Sequence, residues 1–272
     1  MNKRVLIIGG VVIVMAFIFM VSSMGKKPDS TRVQAASSPS SKELHAQAQQ
    51  MKKNRDILKA RRVYQEILKN HPDAENIDQI QKELETLNMD VIFSTKMLPN
   101  KTAMHEVVAG DTLGKMAKKY GTTIELIQKS NNLKSDIIRI GQKLRVWTGK
   151  FNMLIDKSQN ILILKDGNQV IKVYDVSTGE NNSTPVGTFK VTTKLLDPVW
   201  FNRGVVVPPE SPHNVLGTRW LGFDLPGYGI HGTIDPQTIG NQVTAGCVRM
   251  RNEEVAELYS MIPMGTEVVI VD

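Results

Sequence analysis

The hydrophobic period changes along this chain, and that change sets what the chain can fold into. Residues 42–70 carry no Gly or Pro and follow a helical pattern until Pro72 ends it, and a second helical stretch runs from 76 to about 93. From 152 to 191 the period becomes two and β-branched side chains take over. Leu154-Ile155-Asp156, Ile161-Leu162-Ile163-Leu164 and Val170-Ile171-Lys172-Val173-Tyr174 read as strands, with Asp166-Gly167-Asn168 as a hairpin turn. Residues 253–261 predict a short helix and 267–271 a closing strand. The chain is therefore multidomain. It has a helical segment at 43–97 and a mainly β domain at 150–272, for which an antiparallel, sandwich-like sheet is the economical fold.

Residues 105–147 form a third segment with its own punctuation. Thr112 is placed to cap a helix that runs to Tyr120, where Gly121 ends it, and Thr123 opens a second helix through about Lys129. With the flanking His105-Glu106-Val107-Val108 and Lys143-Leu144-Arg145-Val146, the segment reads strand-helix-helix-strand.

At the amino end, residues 5–21 are uncharged and nearly all apolar, and 5–24 as a helix would span about 30 Å. Lys3 and Arg4 precede the run, consistent with a cytoplasmic amino end. The run is long for a signal peptide and no clear Ala-x-Ala site follows it, which favours an uncleaved anchor at 1–24 over a cleaved signal. Residues 25–42, rich in Ser, Lys and Pro, read as a flexible tether. Everything beyond is then expected outside the cytoplasm. The net charge of +7 suits an anionic envelope. Nucleic acid would suit the same number, but aromatics are only 6% of the chain and no basic patch is interleaved with them.

Cys247 is the only cysteine. An exported chain pairs its cysteines or avoids them, so a lone thiol is a liability unless it is used. It lies in Thr244-Ala245-Gly246-Cys247-Val248-Arg249, and His231 lies sixteen residues upstream in Ile230-His231-Gly232-Thr233. A thiol attacks as thiolate, and a His within reach can take its proton and return it to a leaving group. A backbone carbonyl near Gly232 can hold the imidazole by its other nitrogen, the part an acid plays in other triads. Gly246 lets substrate approach the backbone, and the amides of Gly246 and Cys247 are candidates to face a developing oxyanion. Arg249, on the face of Cys247 if the segment is extended, suits a substrate carboxylate. No arrangement of His, Cys and carboxylates shows metal-ligand spacing.

His231-Gly232-Thr233 followed by Thr244-Ala245-Gly246-Cys247-Val248-Arg249 resembles the signature of the L,D-transpeptidases, the YkuD-type domain. Thr184-Pro185-Val186-Gly187-Thr188-Phe189 and Gly217-Thr218-Arg219-Trp220-Leu221-Gly222 add to it. Many members carry His where this chain has Ala245, and often Pro where it has Val215. The resemblance implies acyl transfer on peptidoglycan stem peptides with Cys247 as nucleophile and His231 as base, seconded by Gly232. Thr244, Gly246 and Arg249 would lie against substrate. An amine acceptor gives a cross-link, and water gives an L,D-carboxypeptidase. A wall-binding tether without catalysis is the third alternative. Neither metal nor organic cofactor is implied.

Residues 105–147 resemble a LysM module, which implies binding to the glycan strands of peptidoglycan, with Gly110, Asp111, Thr112 and the 131–139 stretch at the groove. Ala46, Ala60, Tyr64, Ile67 and Pro72 resemble one tetratricopeptide-type helix pair, either a spacer or a docking site for a protein partner. A membrane partner enters only through residues 5–24.

Overall fold

The computed structural model describes residues 39–202 and 204–272. The expected anchor and most of the tether lie outside these. Among the described residues, no helix is long and apolar enough to cross a membrane. The chain divides into two compact units, one ending at Asn88 and the other running from Met89 to Asp272.

The first unit is helical. Helix α1 (Ser41–Lys53) begins with a capping box, in which Ser40 and Glu43 satisfy each other's backbone amides. Helix α2 (Ile57–Asn70) follows after a turn at 54–56, where Arg55 takes a left-handed φ of 62° although no glycine is present. Helix α3 (Ile77–Ile92) carries the division between the units. Ala48, Ala60, Tyr64, Ile67, Ile80 and Leu84 form the unit's core. Glu83 accepts from the Tyr64 hydroxyl and from Lys52 Nζ at 2.8 Å. These bonds outweigh its burial and bring its carboxyl down to about 2. The boundary falls at 88 and not at the expected 97, because Met89 and Ile92 pack into the core of the second unit.

The second unit opens with β1 (Thr102–Glu106), α4 (Leu113–Tyr120), α5 (Ile124–Ser130) and β2 (Lys143–Trp147), with β1 and β2 antiparallel. The helix ends follow the expected punctuation. Thr112 Oγ1 accepts from the Lys115 amide, Gly121 ends α4 at φ 66°, and Thr123 Oγ1 accepts from the Leu126 amide. This βααβ element has its own small core of Val107, Leu113, Met116, Ile127, Leu144 and Val146. It is not free-standing. Leu126 belongs to the larger core, and the Thr123 hydroxyl donates to Ser260 O. Arg145 is 1% exposed and donates to the carbonyls of Val91, Ile92 and Lys96. Burial lowers its pKa to about 10.

Twelve strands follow: β3 (Phe151–Asp156), β4 (Ile161–Asp166), β5 (Gln169–Asp175), β6 (Thr178–Gly179), β7 (Gly187–Leu196), β8 (Trp200–Asn202), β9 (Val205–Val207), β10 (Arg219–Phe223), β11 (Gly229–His231), β12 (Gln242–Thr244), β13 (Val248–Arg249) and β14 (Glu267–Val271). Helix α6 (Asn252–Met261) lies between the last two. Eight of the strands form one sheet in the order β13-β11-β10-β7-β14-β3-β4-β5. The domain is mainly β as expected, but the sheet is not antiparallel throughout. β14 runs parallel to β3, β11 to β13, and in a small side sheet β12 to β6. The reason is connectivity: parallel neighbours need a crossover of a dozen or more residues, and β3 and β14 are separated by most of the domain's other strands and α6. The sixteen-residue gap from His231 to Cys247 is likewise the crossover that returns the chain beside β11.

Candidate active site

Ile230 pairs with Val248 and His231 with Arg249 in the parallel register of β11 and β13. Paired residues of a parallel ladder share a face, and so do residues two apart on one strand. Ile230 and Val248, each fully buried, therefore face the core together. His231 and Arg249, paired with each other, take the opposite face, and Cys247 directly precedes β13. The local cause is alternation: Ile230 and Val248 must go inside, so their neighbours go to the other side.

His231 is 3% exposed. Its Nδ1 lies 2.7 Å from Gly232 O, and since a carbonyl only accepts, Nδ1 carries the proton and Nε2 keeps its lone pair. The ring stacks on Trp220, its register partner on β10, at 6.0 Å. Burial, which outweighs the Gly232 bond, pushes the imidazole down to about 4, and Arg249 adds to the depression. Burial also raises the Cys247 thiol above its ordinary value, opposed by the Gly229 backbone and the Arg249 charge. The thiol donates to Gly227 O at 3.4 Å. Both shifts favour the neutral forms of the two side chains.

Gly246 has φ 128°, and a Cβ there would lie 2.8 Å from Tyr228 Cε1, so glycine is required on both counts. Its amide donates to Thr244 Oγ1 at 3.2 Å. Thr244 Oγ1 in turn donates to Cys247 O at 2.6 Å, so Thr244 braces the turn that carries the thiol. Arg249 is half-buried. Its Nη1 donates to Thr238 Oγ1 at 3.0 Å, and Nε has no hydrogen-bond partner among the described residues.

Two contributors are not legible in the sequence. Trp220 reads there only as part of a family segment. Asn252 lies one residue before the helix expected at 253–261 and is not singled out there, yet its Oδ1 accepts from the amides of Thr218 at 3.2 Å and Thr233 at 3.1 Å. Its Nδ2 donates to Thr233 O at 2.7 Å.

The loop nominated for glycan is built differently. Asp111 Oδ2 accepts from His105 Nε2 and from the Val108 amide, both at 2.9 Å. The Val108 amide and His105 hold the Asp111 carboxyl below the usual range. Thr112 caps α4, and Gly110 O accepts from Lys115 Nζ at 2.7 Å. These three residues shape the loop, while Val108 on this loop and Ile137 and Ile140 on the loop before β2 are more than half exposed. No cluster of three or more His, Cys, Asp or Glu side chains forms among the described residues.

Comparison with known proteins places these residues in a family. Residues 126–270 match the L,D-transpeptidase catalytic domain, YkuD. The chain is 41% identical over 126 residues to "Putative L,D-transpeptidase YqjB" of Bacillus subtilis, covering 44% of this chain and 70% of that one. It is 30% identical over 174 residues to "Putative L,D-transpeptidase YkuD" of the same organism, covering 61% and 97%. A solved L,D-transpeptidase from Mycobacterium smegmatis shares 19% identity at a TM-score of 0.39, over 49% of this chain and 65% of that chain.

Proposed function

The chain belongs to the L,D-transpeptidase family, and from that premise we propose that it cross-links peptidoglycan through a thioester on Cys247. Sγ passes its proton to His231 Nε2 and attacks the carbonyl of an L-residue that precedes a terminal D-Ala. The peptide C–N bond breaks, and D-Ala leaves with the proton from His231. An amine of a neighbouring stem then attacks the thioester, a new C–N bond forms as the C–S bond breaks, and the amine's proton passes through His231 to the departing Sγ, which restores the thiol. The observation that carries this reading is that Cys247 directly precedes β13, which pairs with the His231 strand β11, with Gly232 O accepting from His231 Nδ1 so that Nε2 keeps its lone pair. Arg249, two residues from the thiol, favours the thiolate of Cys247, while the same charge disfavours a protonated His231.

The βααβ element serves to hold wall glycan, supported by its fold order and by the exposed apolar side chains on its two loops. Residues 5–24 place the enzyme outside the cytoplasm on a membrane tether, and the helical unit is a spacer or a protein-docking element.

The test is mass spectrometry of purified wall fragments incubated with the full chain. Cross-linked dimers that have lost one D-Ala are expected. Trimmed monomers alone would mean that water is the acceptor, and unchanged fragments would defeat the reading.

A further inference from the structure

We infer that Asn252 is a positioning residue for His231, acting through the peptide group between Gly232 and Thr233. The inference rests on the His231–Cys247 reading above. The carbonyl and amide ends of that one peptide group do different work. Its C=O, from Gly232, accepts the Nδ1–H of His231 at 2.7 Å. Its N–H, from Thr233, donates to Asn252 Oδ1 at 3.1 Å. A trans peptide points these two groups in opposite directions, so Asn252 grips the back of the plane whose front orients the imidazole. Asn252 Nδ2 closes a second bond to Thr233 O at 2.7 Å, and Oδ1 also takes the Thr218 amide at 3.2 Å. The side chain thus ties the chain after β11 to the chain before β10, the two strands whose His231 and Trp220 rings stack.

Two further observations single out this side chain. A Cβ placed on Gly217 or on Gly232 would collide first with Asn252 Oδ1, so both glycines leave room for this one atom. Asn252 is also not needed by its own helix. Arg251 stands at the N-cap of α6, and Asn252 lies inside the first turn with its side chain directed at the two loops. Donation by the Thr233 amide polarises the same peptide, which strengthens its carbonyl as an acceptor for Nδ1–H.

The experiment is a double-mutant cycle read by the alkylation rate of Cys247 with iodoacetamide, a small neutral reagent, in the full chain. His231→Ala slows alkylation, and Asn252→Ala slows it about fivefold to thirtyfold. The double variant matches His231→Ala alone, since Asn252 has nothing left to position. In turnover of a tetrapeptide stem, Asn252→Ala lowers kcat by a similar factor and leaves KM within about twofold. Asn252→Asp keeps an acceptor for both amides and recovers part of the loss. It also carries the cycle if the Ala variant does not fold. Additive effects of Asn252 and His231 substitutions, or a loss confined to KM, would overturn the inference. An alkylation rate indifferent to His231→Ala would instead overturn the underlying Cys–His pair, which the single variant reveals separately.

Discussion

The β11–β13 edge and the loop at 108–112 both carry residues that the sequence nominates for function, and the two are built in opposite ways. At the edge, supporting groups take up the structural bonds. Thr244 braces the turn, Gly232 O holds the imidazole, and the thiol has only a long contact to Gly227 O. His231 Nε2 is the ring nitrogen left unprotonated by the Gly232 bond. At 108–112, the nominated side chains are themselves the structural bonds: Asp111 holds His105 and the Val108 amide, and Thr112 caps α4. A reactive group is recognised by what holds its neighbours, whereas a loop-building Asp or Thr has the same residue type with its capacity already filled.

Substitutions should separate the two regions by kind of effect as well as by size. Cys247→Ser should lower turnover by about 10⁴-fold or more, because a hydroxyl beside a lone His is a far weaker nucleophile. His231→Ala should lower kcat by about 10²–10⁴-fold, the range for a general base. Thermal unfolding of both variants should stay cooperative, and substantial cross-linking by the Ser variant would break the thiol assignment.

His231 also makes a stability prediction. The folded chain keeps it neutral down to about pH 4, while an unfolded His takes a proton near 6.5. Between these values the unfolded state binds more protons, so stability is full above about pH 6.5 and declines as pH falls toward 4. The whole shift corresponds to roughly 3 kcal/mol. Urea unfolding at pH 7 and pH 4.5 measures it, and His231→Gln should flatten the dependence.

Arg249→Lys comes next. It keeps the charge that draws on Cys247 and His231 but loses the planar fork that reaches Thr238. We expect kcat/KM to fall about tenfold to a hundredfold, or ~1.4–2.8 kcal/mol, with little change in alkylation by a neutral reagent. A parallel loss in both would make Arg249 an organiser of the nucleophile and not a reader of substrate. The smallest effect belongs to the loop. Asp111→Asn should lower the melting temperature slightly, through the bonds to His105 and Val108. Sedimentation with insoluble sacculi at high salt would show whether loop integrity matters to wall binding.

The docked βααβ element also changes how its role can be tested. Excising 105–147 would strip Leu126 from the large core and the Thr123 bond from Ser260, so a loss of activity on deletion would report folding as much as localisation. Point changes at Val108 or Ile137 are the cleaner probe.

Much of the fold is legible in the sequence because it rests on local rules. Period-two alternation locates β3, β4 and β5, and Thr112, Gly121 and Thr123 mark the helix ends because capping is a property of neighbouring residues. Pairing direction is not legible. Whether β14 lies beside β3 or elsewhere depends on where α6 returns the chain, which no local pattern encodes. At the site, Cys247 and His231 stand out through residue type and spacing, and the need for glycine at 246 follows from its φ. The bracing role of Thr244 is not legible in the sequence because a hydroxyl near a nucleophile suits substrate and turn equally well. Asn252 escapes notice because its partners, Thr218 and Thr233, are 34 and 19 residues away in sequence.

The central proposal is that a neutral Cys247 thiol beside β13 passes its proton to a neutral His231 imidazole on β11. The most direct test is the pH dependence of Cys247 alkylation by iodoacetamide in the full chain, with and without His231→Ala. Cys247 should be reactive in the folded protein, with its ionisation above that of an ordinary thiol. The His231→Ala variant should react more slowly at neutral pH. A thiolate already formed below neutral pH, or a folded protein whose Cys247 does not react at all, would contradict this pairing.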